Sequence, residues 1–219
     1  MAWLLAGLVA TVATIATAGS SLWYLTAFRA NMHLYAATQT VSYRGRPGLI
    51  NVQLSDGGIT IQSGPSGRVT VTRELEWSGS KPVPDERWNG STLTIGQDCP
   101  AGGFDESCTE NYTISVPRGV TLDLRTDSGD IAAAGVLAAQ AQASSDSGNI
   151  ALSFASAPDS VWASSDSGNV AILVPSGGSY AVHGQAGNGN SSIDVLRDPA
   201  ARRSITAISD DGNIAVGYN

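Results

Sequence analysis

The stretch Arg125-Thr126-Asp127-Ser128-Gly129-Asp130-Ile131 decides the fold, because versions of it return four times before the C-terminus. The returns are Ser145-Asp146-Ser147-Gly148-Asn149-Ile150, Ser165-Asp166-Ser167-Gly168-Asn169-Val170, the weaker Ala186-Gly187-Asn188-Gly189-Asn190-Ser191, and Ser209-Asp210-Asp211-Gly212-Asn213-Ile214. Their shared glycines stand 19, 20, 21 and 23 residues apart. A period near twenty residues belongs to stacked β architectures, in which each repeat buries its apolar face only against its neighbours.

Aligned on that glycine, the repeats resolve into apolar columns. Seven residues before it stand Leu122, Ala141, Val161, Val182 and Ile205, and five before it Leu124, Ala143, Ala163, Gly184 and Ala207. Two after it come Ile131, Ile150, Val170, Ser191 and Ile214, and four after it Ala133, Leu152, Ile172, Ile193 and Val216. These columns are the expected core, and the residues between them, Gln142, Trp162 and His183 among others, face solvent by strand alternation. Both flanks lie on one face only if the connection, here Asp-Ser-Gly-Asn, takes up four residues, since a one-residue slip turns every side chain over. The glycine is expected at φ > 0, with the Asp capping nearby backbone N–H groups.

The expected fold is therefore all-β: a β-solenoid-like stack of ~20-residue coils after an N-terminal β-sheet region, preceded by one transmembrane helix. An antiparallel β-sandwich of stacked hairpins satisfies the same parity. The solenoid is preferred because each period holds only two or three short strands. In addition, the column after the glycine, Asp130, Asn149, Asn169, Asn190 and Asn213, can form an amide ladder when coils stack about 4.8 Å apart.

The column two before the glycine is Asp127, Asp146, Asp166, Gly187 and Asp210. A shared cation, calcium above all, is its functional reading; turn-capping carboxylates are the plainer one, since one Asp per coil is much sparser than in Asp-rich calcium repeats. A catalytic carboxylate row of Asp127, Asp146 and Asp166, as in a carbohydrate-active β-helix enzyme, is a further alternative, although a repeat produces such a row with no site.

Before the repeats, residues 2–28 carry no charged side chain and as a helix would span about 40 Å, enough for a single membrane crossing. Trp3, Trp23, Tyr24 and Phe28 suit the interfaces and Arg29 the stop. A cleaved signal peptide is the alternative, with Ala16-Thr17-Ala18 before Gly19 as its cleavage site. Arg29, Arg44 and Arg46 after the segment favour a cytoplasmic domain by the positive-inside rule. Against this, Cys99 and Cys108, the only two cysteines, flank a Pro/Gly-rich connection and are expected to form a disulfide, which needs an oxidising compartment. The cysteines carry more weight, because large domains translocate largely regardless of such charges. The expected location is the cell membrane, single-pass, with the C-terminal domain extracytoplasmic.

Residues 30–44 read as a juxtamembrane linker, of which 30–40 could continue the helix, 45–118 as an N-terminal β region and 119–219 as the repeat region. Within 45–118, Ile50, Val52 and Leu54 alternate up to Asp56-Gly57-Gly58, and Ile59 and Ile61 alternate away from it. Val69 and Val71, Leu93 and Ile95, and Tyr112, Ile114 and Val116 mark further strands. Trp77 and Trp88 flank residues 81–87, read as a surface loop with the rings packed at its base, a sugar-stacking platform being the sharper alternative.

A formal charge of -7 with a single lysine, Lys81, argues against a nucleic-acid partner. His33 and His183 have no evident nucleophile or metal partner, and no nucleophile elbow or phosphate loop occurs. No catalytic residue, metal site or cofactor is assigned beyond the calcium alternative.

Taken in order, Ile59-Thr60-Ile61, Val69 to Arg73, the Trp77 to Trp88 region, Thr92-Leu93-Thr94-Ile95, the cysteine pair, Tyr112-Thr113-Ile114-Ser115-Val116-Pro117 and the Ser-Gly repeats resemble a known series. It is that of the bacterial putative-adhesin-like β-repeat family of unknown function, in its actinobacterial membrane-anchored type. The resemblance covers about residues 45–219 and departs from the family in lacking a basic N-terminus. It implies an envelope location and a β-repeat fold, and transfers neither ligand nor site. The expected function is a non-catalytic, membrane-anchored envelope protein whose exported domain meets a protein or glycan surface. A calcium-dependent surface or carbohydrate-binding module is the alternative. Because Ile214 to Asn219 end the last repeat in strand residues, self-association through a terminal strand edge is also expected.

Overall fold

The computed structural model describes residues 34–97 and 107–219, and among them every regular element is a strand. Seven strands precede the repeats: β1 (Tyr35–Arg44), β2 (Leu49–Asp56), β3 (Ile59–Ser63), β4 (Arg68–Trp77), β5 (Asp85–Trp88), β6 (Thr92–Gly96) and β7 (Cys108–Val116). Each repeat then contributes two. These are β8 (Thr121–Ser128) with β9 (Ile131–Val136), β10 (Gln140–Ser147) with β11 (Ile150–Phe154), and β12 (Ser160–Ser167) with β13 (Val170–Val174). The last two are β14 (Ala181–Ala186) with β15 (Ser191–Ile193), and β16 (Ser204–Asp211) with β17 (Ile214–Tyr218).

The first strand of every repeat joins one sheet, ordered β14-β16-β12-β10-β8-β2-β6-β5, and the second joins the other, ordered β1-β4-β7-β3-β9-β11-β13-β17-β15. Repeat strands pair in parallel with the columns in register: Leu122, Ala141, Val161, Ile205 and Val182 are successive partners. Ile131, Ile150, Val170, Ile214 and Ser191 are partners in the opposite sheet. Parallel pairing makes the repeat region a two-sheet solenoid and excludes stacked antiparallel hairpins. The column side chains of both sheets form one core; Leu122, Ile131, Val170, Ile172 and Ile205 are wholly buried in it.

Parity is met at every regular corner. Thr126 and Ile131 are buried while the four residues between them stay outside the core, and the same holds from Ser145 to Ile150 and from Ser165 to Val170. The expectation of φ > 0 holds only for Gly129 (φ 151) and for Gly57 (φ 138), whereas Gly148, Gly168, Gly189 and Gly212 lie outside that region. The glycine is required instead by close approach. A Cβ on Gly148 would stand 2.0 Å from the Gly129 carbonyl oxygen, and one on Gly168 2.1 Å from that of Gly148.

The structure corrects the sequence reading in several places. The boundary at 118/119 separates no cores, because β2 pairs with β8 and β3 with β9. Gly57 belongs to the glycine row, a Cβ on Gly129 meeting its carbonyl oxygen at 2.2 Å; Asp56-Gly57-Gly58 is thus a further solenoid corner, with Ile50, Val52, Ile59 and Ile61 in the columns. Residues 35–44, taken as linker or helix extension, form β1, antiparallel to β4 from Tyr35↔Trp77 to Arg44↔Arg68. Thr38, Thr40, Val41 and Tyr43 are strand formers, and β4 offers them an open edge. The end of the 81–87 segment, taken as a loop, forms β5 together with Trp88.

Spatial order also departs from sequence order at both ends. The coil β6/β7 lies outside β2/β3, and the final coil β16/β17 is inserted between β12/β13 and β14/β15. The edge expected at Ile214 to Asn219 is therefore covered: β17 pairs with β13 on one side and β15 on the other. The exposed edges at that end are β14 and β15. No helix of the described residues is long and apolar enough to cross a membrane; the segment 2–28 lies outside them, as does Cys99.

Candidate functional site

The corners concentrate most of the chain's repeated polar chemistry. One position inside the Asp row lies a buried hydroxyl row that the sequence reading overlooked: Thr126, Ser145, Ser165 and Ser209. Each donates its hydroxyl to the glycine carbonyl of the preceding coil, Thr126 to Gly57 at 2.9 Å, Ser145 to Gly129 at 2.9 Å, Ser165 to Gly148 at 2.8 Å and Ser209 to Gly168 at 2.7 Å. Parity was the available signal, since the position three before the glycine must face inward, and a buried hydroxyl there needs an acceptor.

Outside the glycine runs the Asp/Asn row. The Asp130 carboxylate accepts from the Asn149 backbone N–H (2.7 Å) and Nδ2 (3.2 Å). Asn149 Oδ1 accepts the same pair from Asn169, at 3.0 and 3.0 Å, and Asn169 Oδ1 from Asn213, at 2.9 and 3.0 Å. Asn213 Oδ1 accepts from Asn190 at 3.0 and 3.4 Å. The ladder runs 130, 149, 169, 213, 190, following the coils in space. Asn111 extends the motif at the far end, its Oδ1 accepting from the Gly58 backbone at 2.7 Å.

Asp127, Asp146, Asp166 and Asp210 remain exposed, one per coil. Arg125 stands between the first two, its Nε 3.7 Å from Asp127 Oδ1 and its Nη2 3.7 Å from Asp146 Oδ1. Backbone capping at the corner comes from the Asp/Asn row rather than from these carboxylates. No group of three or more His, Cys, Asp or Glu side chains placed to hold a metal ion occurs among the described residues.

The outer face of the sheet containing β8, β10, β12 and β16 carries a different row. Asn51, Asp123, Gln142, Trp162, Thr206 and His183 are successive partners across six strands. Asn51 Nδ2 donates to Asp123 Oδ2 at 3.0 Å, fixing that carboxylate. A groove of about 370 Å³ runs beside Trp162 from Leu49 across Thr121, Gln140 and Ser160 to Ser204.

Side-chain clusters close both ends of the stack. At one, Arg73 on β4 donates to Glu86 on β5 and to Gln39 on β1, while the Tyr43 hydroxyl donates to Glu86, tying the two sheets together. Burial, with the Glu86 carboxylate beside it, pushes the Tyr43 hydroxyl up to about 12. Trp88 packs against Tyr43 with ring centroids 5.8 Å apart, and Lys81 lies over Trp77 at 5.5 Å. In the outermost coil the Tyr112 hydroxyl donates to the buried Glu110 carboxylate at 2.8 Å, and burial followed by that charge raises its pKa strongly. At the other end Tyr180 is wholly buried, and the Tyr218 hydroxyl accepts from the Leu196 N–H (2.8 Å) and donates to Gly178 O (3.1 Å). His183 is exposed; His33 lies outside the described residues.

Residues 118–217 match the family model described as Toastrack DUF4097. No curated protein matches the chain. Among solved structures, a putative cell adhesion protein from Clostridium sporogenes is 12% identical with a TM-score of 0.61, covering 84% of this chain and 100% of that one. A putative adhesin from Bacteroides fragilis is 14% identical with a TM-score of 0.37, covering 84% and 97%. The repeat half is thus similar to the Toastrack domain, a likeness consistent with the putative-adhesin-like β-repeat family, and the clostridial structure shares the fold.

Proposed function

We propose that this chain, whose repeat half resembles the Toastrack domain, is a non-catalytic, single-pass envelope protein. Residues 2–28 are its anchor, and its extracytoplasmic solenoid serves as an interaction scaffold. The observation that carries this reading is the use made of the corner chemistry. The glycine carbonyls, the Ser/Thr hydroxyls and the Asp/Asn amides are all engaged in coil-to-coil hydrogen bonds, so the motif builds a rigid rod and leaves its outer faces to meet partners. The clostridial neighbour, a putative cell adhesion protein, supports the same role. The Cys99–Cys108 disulfide and the export it requires belong to this proposal; Cys108 opens β7, and no free cysteine occurs among the described residues.

Thiol labelling in intact cells with a membrane-impermeant maleimide, with and without prior reductant, tests it. Labelling at Cys99 and Cys108 is expected only after reduction, with the chain in the membrane fraction after carbonate washing. Labelling only after cell lysis, without reductant, would place free thiols in the cytoplasm and overturn the reading.

A further inference from the structure

We infer that the outer groove beside Trp162 binds a neutral oligosaccharide lying across the strands, Trp162 providing the stacking platform. The inference rests on the envelope-scaffold reading above and names a partner for it.

Size contrast creates the groove. Trp162 stands between Ser160 and Ser164 on its own strand, with Gln142 and Thr206 as lateral partners. A large, half-buried ring rising among small hydroxyl side chains makes a wall with a low floor beside it, and the groove follows that floor across five strands, β2, β8, β10, β12 and β16. Four inter-strand steps of about 4.8 Å give it a length of roughly 19 Å, and a chain laid along it meets a fresh side chain at each step.

The lining chemistry selects the occupant. Its outward polar groups are hydroxyls, the two amides Gln140 and Gln142, and one carboxylate, Asp123; no Lys, Arg or His lines the groove. Phosphates, nucleic acids and acidic glycans therefore find no counter-charge. An extended peptide finds no strand edge, because these strands are paired on both sides. Vicinal hydroxyls of a neutral sugar both donate and accept, which amides match. The fixed Asp123 carboxylate accepts strongly without being neutralised, Asn51 being an uncharged donor. The apolar C–H face of a pyranose ring fits the flat indole.

The test uses the full chain in lipid nanodiscs, titrated with cellotetraose and chitotetraose and read by calorimetry and by tryptophan fluorescence. Saturable binding of at least one tetrasaccharide is expected. Trp162→Ala is expected to weaken it about tenfold or more, Trp162→Phe to retain most of it, and Gln142→Ala to weaken it several-fold, with melting temperatures preserved. No saturable binding by either sugar, undiminished binding in well-folded Trp162→Ala, or stronger binding of tetragalacturonate would each overturn the inference. An exported chain that binds neither sugar removes this inference alone, whereas cytoplasmic thiols with saturable sugar binding remove the envelope reading alone.

Discussion

The interior coils and the two terminal coils follow different rules, and the contrast explains what the repeat motif is for. In the interior, each glycine faces the carbonyl of the coil before it at a distance no side chain permits: a Cβ on Gly129, Gly148, Gly168 or Gly212 would lie 2.0 to 2.2 Å from an oxygen. The same row position in the outermost coil is Glu110, whose carbonyl oxygen a Cβ on Gly57 would meet at 2.0 Å. No coil of the stack lies outside β6/β7 at that corner, so the position accepts a side chain, and the carboxylate folds inward onto Tyr112. At the other end the hydroxyl row stops: Ala186 stands where Thr126, Ser145, Ser165 and Ser209 donate. Glycine is thus required wherever a coil stacks on the one before it, Gly189 of the terminal coil included, and relaxes only at Glu110, before which no coil lies; the hydroxyl is dropped in the last coil.

That contrast can be broken most severely at the glycine row. Gly148→Ala is expected to abolish the cooperative fold or cost well above 4 kcal/mol, since backbone of two coils must move apart, whereas Glu110→Ala is expected to leave a folded, destabilised protein. Urea unfolding followed by circular dichroism separates them, and equal tolerance at the two positions would refute the account. Next comes the hydroxyl row. Ser165→Ala leaves the Gly148 carbonyl without its donor and is expected to cost about 1–3 kcal/mol, while Ala186→Ser supplies a donor toward Gly212 and is expected to gain about 0.5–1.5 kcal/mol. A terminal serine that destabilises as much as the interior alanine would show that position, not hydrogen bonding, governs the row.

The smallest effect appears only in alkali and only at the ends. Tyr43 has a folded pKa of about 12, above its ordinary value near 10, so the folded state holds its proton more tightly. The stability this contributes is complete below pH 10 and is lost as pH rises toward 12. Tyr112 adds to the loss with the same sign. Melting temperatures of the wild type are expected to fall over that interval, and Tyr43→Phe to reduce the slope; an unchanged slope would mean that Tyr43 does not contribute.

Much of this fold was legible because its determinants repeat. The four apolar columns, the four-residue corner and the Asp130-to-Asn213 amide row follow from period and parity alone, and the structure places them in register. The Gly57 corner escaped because Gly58 replaces the Asn, which breaks the motif while preserving the geometry. Strand β1 escaped because its 10 residues flank an apolar segment and show alternation only through half-buried Ala37, Gln39, Val41 and Tyr43. The order of the last two coils was beyond any local reading. It depends on which coil accepts a weak neighbour, and Gly184, Gly187 and Ser191 make β14/β15 the one with least to bury. The outer groove was only partly visible: Trp162 was read as solvent-facing, but the row joining it to Asn51 and Asp123 needs the stacking order of strands far apart in sequence.

That order also dictates how the molecule is made. The coil β14/β15 is synthesised before β16/β17, yet it touches the rest of the stack through them. An early-emerging β14/β15 meets the edges of β12 and β13 open, and it reaches its native place only once residues 204–218 have taken those edges. Deleting residues 204–218 removes one coil and strips a second, β14/β15, of its native neighbours.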